Sequence, residues 1–203
     1  LQFIDGTILN ISPSNLNNAV YSVAQTIGAQ VYGYEGKDVM RGTSDRSGWW
    51  GYNNDSFYGA GGNDSIDGGV GTDYLLGGDG NDTLTGGWDG DYLEGGEGAD
   101  TYIYNLGGGS DTIQNMQFTP AADKLMLGAG ISAANIQFER VDDDLYIRFD
   151  SASAGIDDSV RILNHFAGAA LKTLQFIDGT TLDISSTGTV AMVKTEGGIG
   201  GDS

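Results

Sequence analysis

Cysteine is absent from the 203-residue chain, which excludes disulfides, thiolate metal sites and a cysteine nucleophile. Histidine occurs once and proline twice, so a zinc site built on a histidine cluster is excluded as well. Cations are scarce: nine Lys and Arg stand against 28 Asp and Glu, a formal net charge of −19. Such a balance argues against nucleic acid and anionic membranes as partners and suits a binder of cations. No apolar run approaches the roughly 18 residues that span a bilayer, and no cationic-then-apolar signal peptide opens the chain. That last absence carries little weight in a fragment. The chain does have glycine, 35 residues of it, concentrated between Gly33 and Gln114.

Three zones follow one another. Ser14–Ile27 places apolar residues at Leu16, Ala19, Val20, Val23, Ala24 and Ile27, the spacing of an amphipathic helix with Ser14 or Asn15 as N-cap. The glycine-aspartate zone comes next. From Leu125 to Ile184 the composition is that of an ordinary globular protein. It carries alternating strands at Ile136–Val141, Leu145–Phe149, Val160–Leu163 and Leu174–Ile177, and Asp142–Asp143–Asp144 reads as a solvated hairpin turn. Residues 1–12 (LQFIDGTILNIS) recur as 174–185 (LQFIDGTTLDIS), ten of twelve positions agreeing at a separation of 173 residues. The recurrence implies one period of a longer tandem protein. The expected segments are 1–13 (end strands of a preceding unit), 14–32 (helical cap), 33–114 (repeat zone), 115–186 (C-terminal β cap) and 187–203 (linker).

Within the repeat zone aspartates fall at positions 55, 64, 73, 82, 91 and 100, every nine residues. Two residues after each comes an apolar or aromatic side chain: Phe57, Ile66, Leu75, Leu84, Leu93 and Tyr102. The shared form is G-G-x-G-x-D-x-U-x, with U apolar. Five nines run consecutively from Gly59: GAGGNDSID, GGVGTDYLL, GGDGNDTLT, GGWDGDYLE and GGEGADTYI. Tandem nonapeptides of this form are a known calcium-binding β-solenoid signature. The physical reasons are legible. The x-U-x triplet is a three-residue strand with one side chain inward. The six residues before it reverse the chain and need glycine's conformational freedom. Each nine buries one side chain worth roughly 1.5–3 kcal/mol, while ordering costs about 1–2 kcal/mol per residue in backbone entropy. From Ser47 to Asp123 there is no Lys, Arg or His to neutralise the stacked carboxylates, so a bound cation is required. Hard oxygen ligands in open glycine turns suit calcium better than magnesium.

The repeats resemble those of the RTX (haemolysin-type calcium-binding) proteins. The resemblance implies an all-β fold, a right-handed parallel β-roll, here with an N-terminal helical cap and a C-terminal β cap, holding about four to six Ca2+ ions. It also implies a coordination scheme between turns one coil apart. One ion would use Ala60, Gly62 and Asp64 with Gly77, Asp79 and Asp82. A second would use Gly69, Gly71 and Asp73 with Gly86, Trp88 and Asp91. A third would use Gly78, Gly80 and Asp82 with Gly95, Glu97 and Asp100. The turn of Gly51, Asn53 and Asp55 would pair with Gly68, Val70 and Asp73. Gly87, Asp89, Gly96 and Gly98 join the candidate ligands, as do Asp111 and Asp123 at the stretched end of the array. Ala60 departs from the second-position glycine, and its carbonyl serves only if that turn does not need positive φ. GYEGKDVMR (Gly33–Arg41) reads as a first repeat with Asp38, but the following nine slip the register and argue against a site joining Asp38 to the Asp55 turn.

Other motifs carry less. The glycine runs lack the helix and lysine of a phosphate loop, and no twelve-residue window has the spacing of an EF-hand. His165, beside apolar residues, reads as structural. Trp49, Trp50 and Trp88 admit a sugar-stacking surface, or packing of the pair where the roll meets the helical segment. Nothing points to catalysis. The expected role is a calcium-folded structural unit of a large secreted or surface protein, an adhesin or toxin, exported by type I secretion. Its other partners would be neighbouring units and an unidentified host or surface ligand. The rival readings are an accessory domain of a secreted lipase or protease, and a carbohydrate- or receptor-binding unit.

Overall fold

The computed structural model describes residues 20–22, 28–42, 44, 53–115, 122–150, 158–168 and 171–185. Among these residues sixteen strands lie in two eight-stranded sheets, and through the repeat zone the chain crosses from one sheet to the other after every described strand. The first sheet contains β1 (Val20–Ser22), β3 (Val39–Arg41), β5 (Ser65–Val70), β7 (Thr83–Trp88), β9 (Thr101–Tyr104), β11 (Lys124–Leu127), β15 (Thr173–Phe176) and β16 (Thr181–Asp183), in that order. The second runs β2 (Gln30–Tyr32), β4 (Ser56–Gly61), β6 (Tyr74–Asp79), β8 (Tyr92–Glu97), β10 (Ser110–Gln114), β14 (Ser159–Leu163), β13 (Asp144–Phe149) and β12 (Ile136–Val141). All pairings are parallel except β15–β16, β13–β14 and β12–β13, which close the C-terminal end as hairpins. Among the described residues the only helical elements are two short 3-10 turns, Ala133–Asn135 and His165–Ala167.

The U positions stack in two columns between the sheets. One column is Val31, Phe57, Leu75, Leu93, Ile113, Ile162 and Leu145, each in register with the next. The other is Met40, Ile66, Leu84, Tyr102, Leu125, Leu174 and Leu182. Every member but Leu182 is at most 2 % exposed, so both columns stay buried from the repeats into the C-terminal region. Outward positions differ between the sheets. On the second sheet Tyr32, Tyr58, Tyr74 and Tyr92 form a row, with ring centroids 4.7, 5.9 and 5.1 Å apart, a favourable stacking range.

The helix expected over Ser14–Ile27 is not found. Its described part, Val20–Ser22, is a strand paired parallel with Val39–Arg41; the remainder lies outside the described residues. The open edge of β3 offers a row of backbone partners, and that pairing overrides the helical spacing of the apolar residues. The C-terminal strands agree with expectation to within a residue, and Asp142 and Asp143 form the turn of the β12–β13 hairpin. Asp144 is more than a turn residue: it pairs with Arg161 at 2.5 Å and accepts from the Asn164 N–H at 2.8 Å. His165 is buried and its Nε2 lies 2.5 Å from the Ile184 carbonyl, the structural role expected.

Ala60 adopts φ +77°, so the turn does need the left-handed conformation. Against the expectation that this would cost the ligand, the alanine adopts it, and its carbonyl oxygen faces Gly78 as those of Gly69 and Gly78 face Gly87 and Gly96. The conformation costs a non-glycine residue about 1–2 kcal/mol. Ala60→Gly is therefore expected to raise stability by about 1 kcal/mol in urea unfolding. Gly78→Ala is expected to lower it, because the added methyl would come within 3.0 Å of the Ala60 carbonyl oxygen at a residue with φ +110°.

Candidate metal centre

Each sixth-position aspartate from Asp55 to Asp100 ends a turn and stands directly before a strand. Asp38, Asp55, Asp64, Asp73, Asp82, Asp91, Asp100, Asp111 and Asp123 are all buried, at most 5 % exposed. Their Oδ1 atoms form two ladders. Along one side the Asp38 N–H donates to Asp64, Asp64 to Asp82, Asp82 to Asp100 and Asp100 to Asp123, over 2.7–2.9 Å. Along the other Ala29 donates to Asp55, Asp55 to Asp73, Asp73 to Asp91 and Asp91 to Asp111, over 2.7–3.0 Å. The stretched spacings before Asp111 and Asp123 are thus absorbed in loops, and both residues stay in register. Asp38 partners Asp64 rather than Asp55, as the slipped register implied.

The second oxygens tell the ends of the first ladder from the rest of the array. Oδ2 of Asp55, Asp64, Asp73, Asp82, Asp91 and Asp100 is buried with no hydrogen-bond partner. At the two ends of the ladder from Asp38 to Asp123 the protein supplies one: the Tyr34 N–H to Asp38 and the Asn115 Nδ2 to Asp123, at 2.8 and 2.7 Å. One coil beyond, Val160 stands in register with Asp111. The pairing of Lys124 with Thr173 puts Lys172 in register with Asp123.

Carbonyl oxygens converge on the same places. A methyl on Gly59 would lie within 3.0 Å of both Asp64 Oδ2 and the Gly77 oxygen. The same holds beside Gly68 for Asp73 and Gly86, and beside Gly77 for Asp82 and Gly95. The Ala60 and Gly62 oxygens face Gly78 and Gly80 of the next coil, Gly69 faces Gly87, Gly78 and Gly80 face Gly96 and Gly98, Asn53 faces Gly71, and Asp89 faces Gly109. Oxygens of Asp79, Trp88 and Glu97 accept from the N–H of Gly62, Gly71 and Gly80, which leaves each a second lone pair. Val70 is in register with Trp88, and Gly96 with Gly78. Gly51 lies outside the described residues. Among those described, no three His, Asp or Glu side chains cluster. The arrangement is paired carboxylates among carbonyls, a hard, all-oxygen donor set that fits calcium.

Several participants escaped the sequence reading. Asn54, Asn63 and Asn81, at the fifth position, accept from the N–H of Thr72, Asn81 and Ala99; the recurrence of Asn63 as Asn81, eighteen residues on, was a visible signal. Asp158 is buried outside any repeat and accepts from Gly107 and Gly109 at 3.0 and 3.3 Å. No sequence pattern marks it.

Burial pushes the carboxyls up: to about 6 for Asp55 and Asp64, about 7 for Asp82, Asp91 and Asp100, about 8 for Asp111 and about 9 for Asp73. Neighbouring aspartates add to this in all but Asp55, against the lowering by the ladder hydrogen bonds. A raised folded-state pKa contributes stability that is complete below the unfolded value and is lost as pH rises through the folded one. In chelator, therefore, β structure is expected to return as pH falls from 8 towards 5, protons replacing the cation. A circular dichroism spectrum in chelator that shows no gain of β structure over that range would contradict it.

Residues 51–75 and 67–102 match the family model described as the RTX calcium-binding nonapeptide repeat (4 copies). No curated protein matches the chain. The matched residues span β4 to β8 and the turns that carry the unpartnered aspartates, so residues 51–102 carry calcium-binding repeats of the RTX nonapeptide type.

Proposed function

We propose that the roll folds when calcium enters the turns, and that the chain serves as a calcium-dependent structural unit of a large secreted or surface protein such as an adhesin or toxin. The observation that carries this is the row of six buried, unpartnered Oδ2 atoms in a stretch without a basic residue. Burying an ionised carboxylate without a partner is strongly unfavourable, and the donor set around each is oxygen throughout. The ligands are the pairs of turns one coil apart: 59–64 with 77–82, 68–73 with 86–91, 77–82 with 95–100, and 51–55 with 68–73. Gly87, Asp89 and Asp91 with Asp111, and Gly96, Gly98 and Asp100 with Asp123, extend the array.

Binding to the folded state alone stabilises it by about 2.7 kcal/mol per site at a hundredfold excess over Kd. Extracellular calcium modules bind at roughly 10⁻⁴–10⁻³ M, so the unit would stay unfolded in cytosol and fold outside the cell. That behaviour suits export as an open chain by type I secretion. The recurrence of residues 1–12 at 174–185 favours a tandem structural array over the single appended block of a secreted lipase or protease.

Circular dichroism at neutral pH is expected to show β structure with millimolar calcium and its loss in chelator; equal spectra would sink the proposal. Asp82→Asn keeps an oxygen for the Asp64 N–H and replaces Oδ2 with an amide. Calorimetric titration is expected to show fewer bound ions for this variant and an unchanged number for Asp144→Asn.

A further inference from the structure

The first position of an interior turn tolerates no side chain. A methyl on Gly59, Gly77 or Gly95 would lie within 2.5 Å of Oδ2 of the aspartate that closes the same turn, Asp64, Asp82 or Asp100. A side chain at this position therefore enters the space beside that oxygen. The last coil of this ladder has one. Ile113 is in register with Leu93 and Gln114 with Glu94, so Asn115 stands where Gly95 stands one coil earlier. Asp123 follows eight residues on, and the Asn115 Nδ2 donates to its Oδ2 at 2.7 Å. Both residues are buried. An amide N–H on a buried carboxylate is a charge-assisted bond that removes the need for a counter-ion at that oxygen.

The other ends are closed by protein donors as well. At the second positions Ala60, Gly69, Gly78, Gly87 and Gly96 the backbone is left-handed, with φ from +77° to +120°. Tyr34 holds the second position of the turn closed by Asp38 and lacks a positive φ; its N–H lies on Asp38 Oδ2 at 2.8 Å. On the second ladder the last turn ends at Asp111, with Gly109 at its fourth position. The Gly109 carbonyl accepts from the Tyr104 O–H at 2.8 Å and the Ser159 N–H at 2.9 Å, which fills both of its lone pairs. One coil further on, the residues in register with Asp111 and Asp123 are Val160 and Lys172, so neither ladder has another carboxylate to pair.

We propose that these donors are stops. The Asn115 amide stands in for a cation at Asp123, the Tyr34 N–H does so at Asp38, and the doubly bonded Gly109 carbonyl ends the second ladder. Calcium binds only between the stops, one ion for each of the six aspartates whose Oδ2 is buried without a hydrogen-bond partner. The step from Asp38 to Asp64 has the Gly59 carbonyl beside Asp38 Oδ2 as its neighbours have theirs, yet it holds no ion. The inference rests on the calcium reading of the turns and adds to it where the array ends and how many ions it takes.

Equilibrium dialysis against millimolar calcium at pH 8, in salt that screens surface carboxylates, tests it with bound metal read by atomic emission. The unchanged chain is expected to hold six ions, the number of unpartnered Oδ2 atoms. Asn115→Asp removes the N–H and sets a second carboxylate against Asp123, and is expected to hold one ion more. Asn115→Ala is expected to hold as many as the unchanged chain. Circular dichroism in calcium checks that each variant keeps its β structure. No gain in Asn115→Asp overturns the proposal, as does any uptake by the unchanged chain that differs from six. Loss of an ion in Asn115→Ala overturns it too, since the amide's Oδ1, buried without a hydrogen-bond partner, would then be a ligand. Absence of all calcium uptake by the unchanged chain would strike the metal reading instead.

Discussion

The structure depends on one hydrogen bond, repeated: the backbone N–H of an aspartate donating to Oδ1 of the aspartate one coil further on. It divides each carboxylate into two jobs. One oxygen fixes the register of neighbouring coils, and the other is left facing a space bordered by carbonyls. Register then does the rest. With the aspartates aligned, the U residues two positions on stack into columns, and second- and fourth-position carbonyls fall against glycines of the next coil. A side chain elsewhere used for solubility here specifies alignment and creates the demand for a cation at once.

The C-terminal region solves the same problem by ordinary means. Its carboxylates meet protein cations or amides, as in Asp144 with Arg161, Glu139 with Arg148 and Asp123 with Asn115. Its strands turn back in hairpins instead of running on in parallel. Both sheets nevertheless continue through it, since β14 pairs with β10 and β15 with β11. The same two columns of buried side chains therefore run from a part whose carboxylates each keep one oxygen without a protein partner into one whose carboxylates meet protein cations or amides. Order in the conventional part presents the next coil with a finished edge.

Much of this was readable from spacing. The nine-residue interval gave the strands, the inward residues and the aspartate ladder, because a solenoid repeats its local environment with the sequence. Where the repeat fails, spacing says less. Val20–Ser22 carries the apolar pattern of a helix and becomes a strand because β3 offers it an edge. The pairing of Asp38 with Asp64 crosses a long insertion whose length no local rule fixes. Asp158 reaches the Gly107–Gly109 loop through tertiary packing and has no signature at all. Ala60 shows the opposite limit: the turn imposes its backbone conformation even where the residue disfavours it.

The tyrosine row on the second sheet has a consequence for how such a chain can change length. Because two nines make one coil, deleting eighteen residues from the repeat zone returns every later side chain to its own sheet, with the tyrosines still in line. Deleting nine would exchange the sheets for everything that follows, sending tyrosines to the first sheet, where Thr83 and Thr101 stand in register, and aspartates to the opposite ladder. The molecule can therefore grow or shrink only by whole coils, and the two outer faces are inherited together.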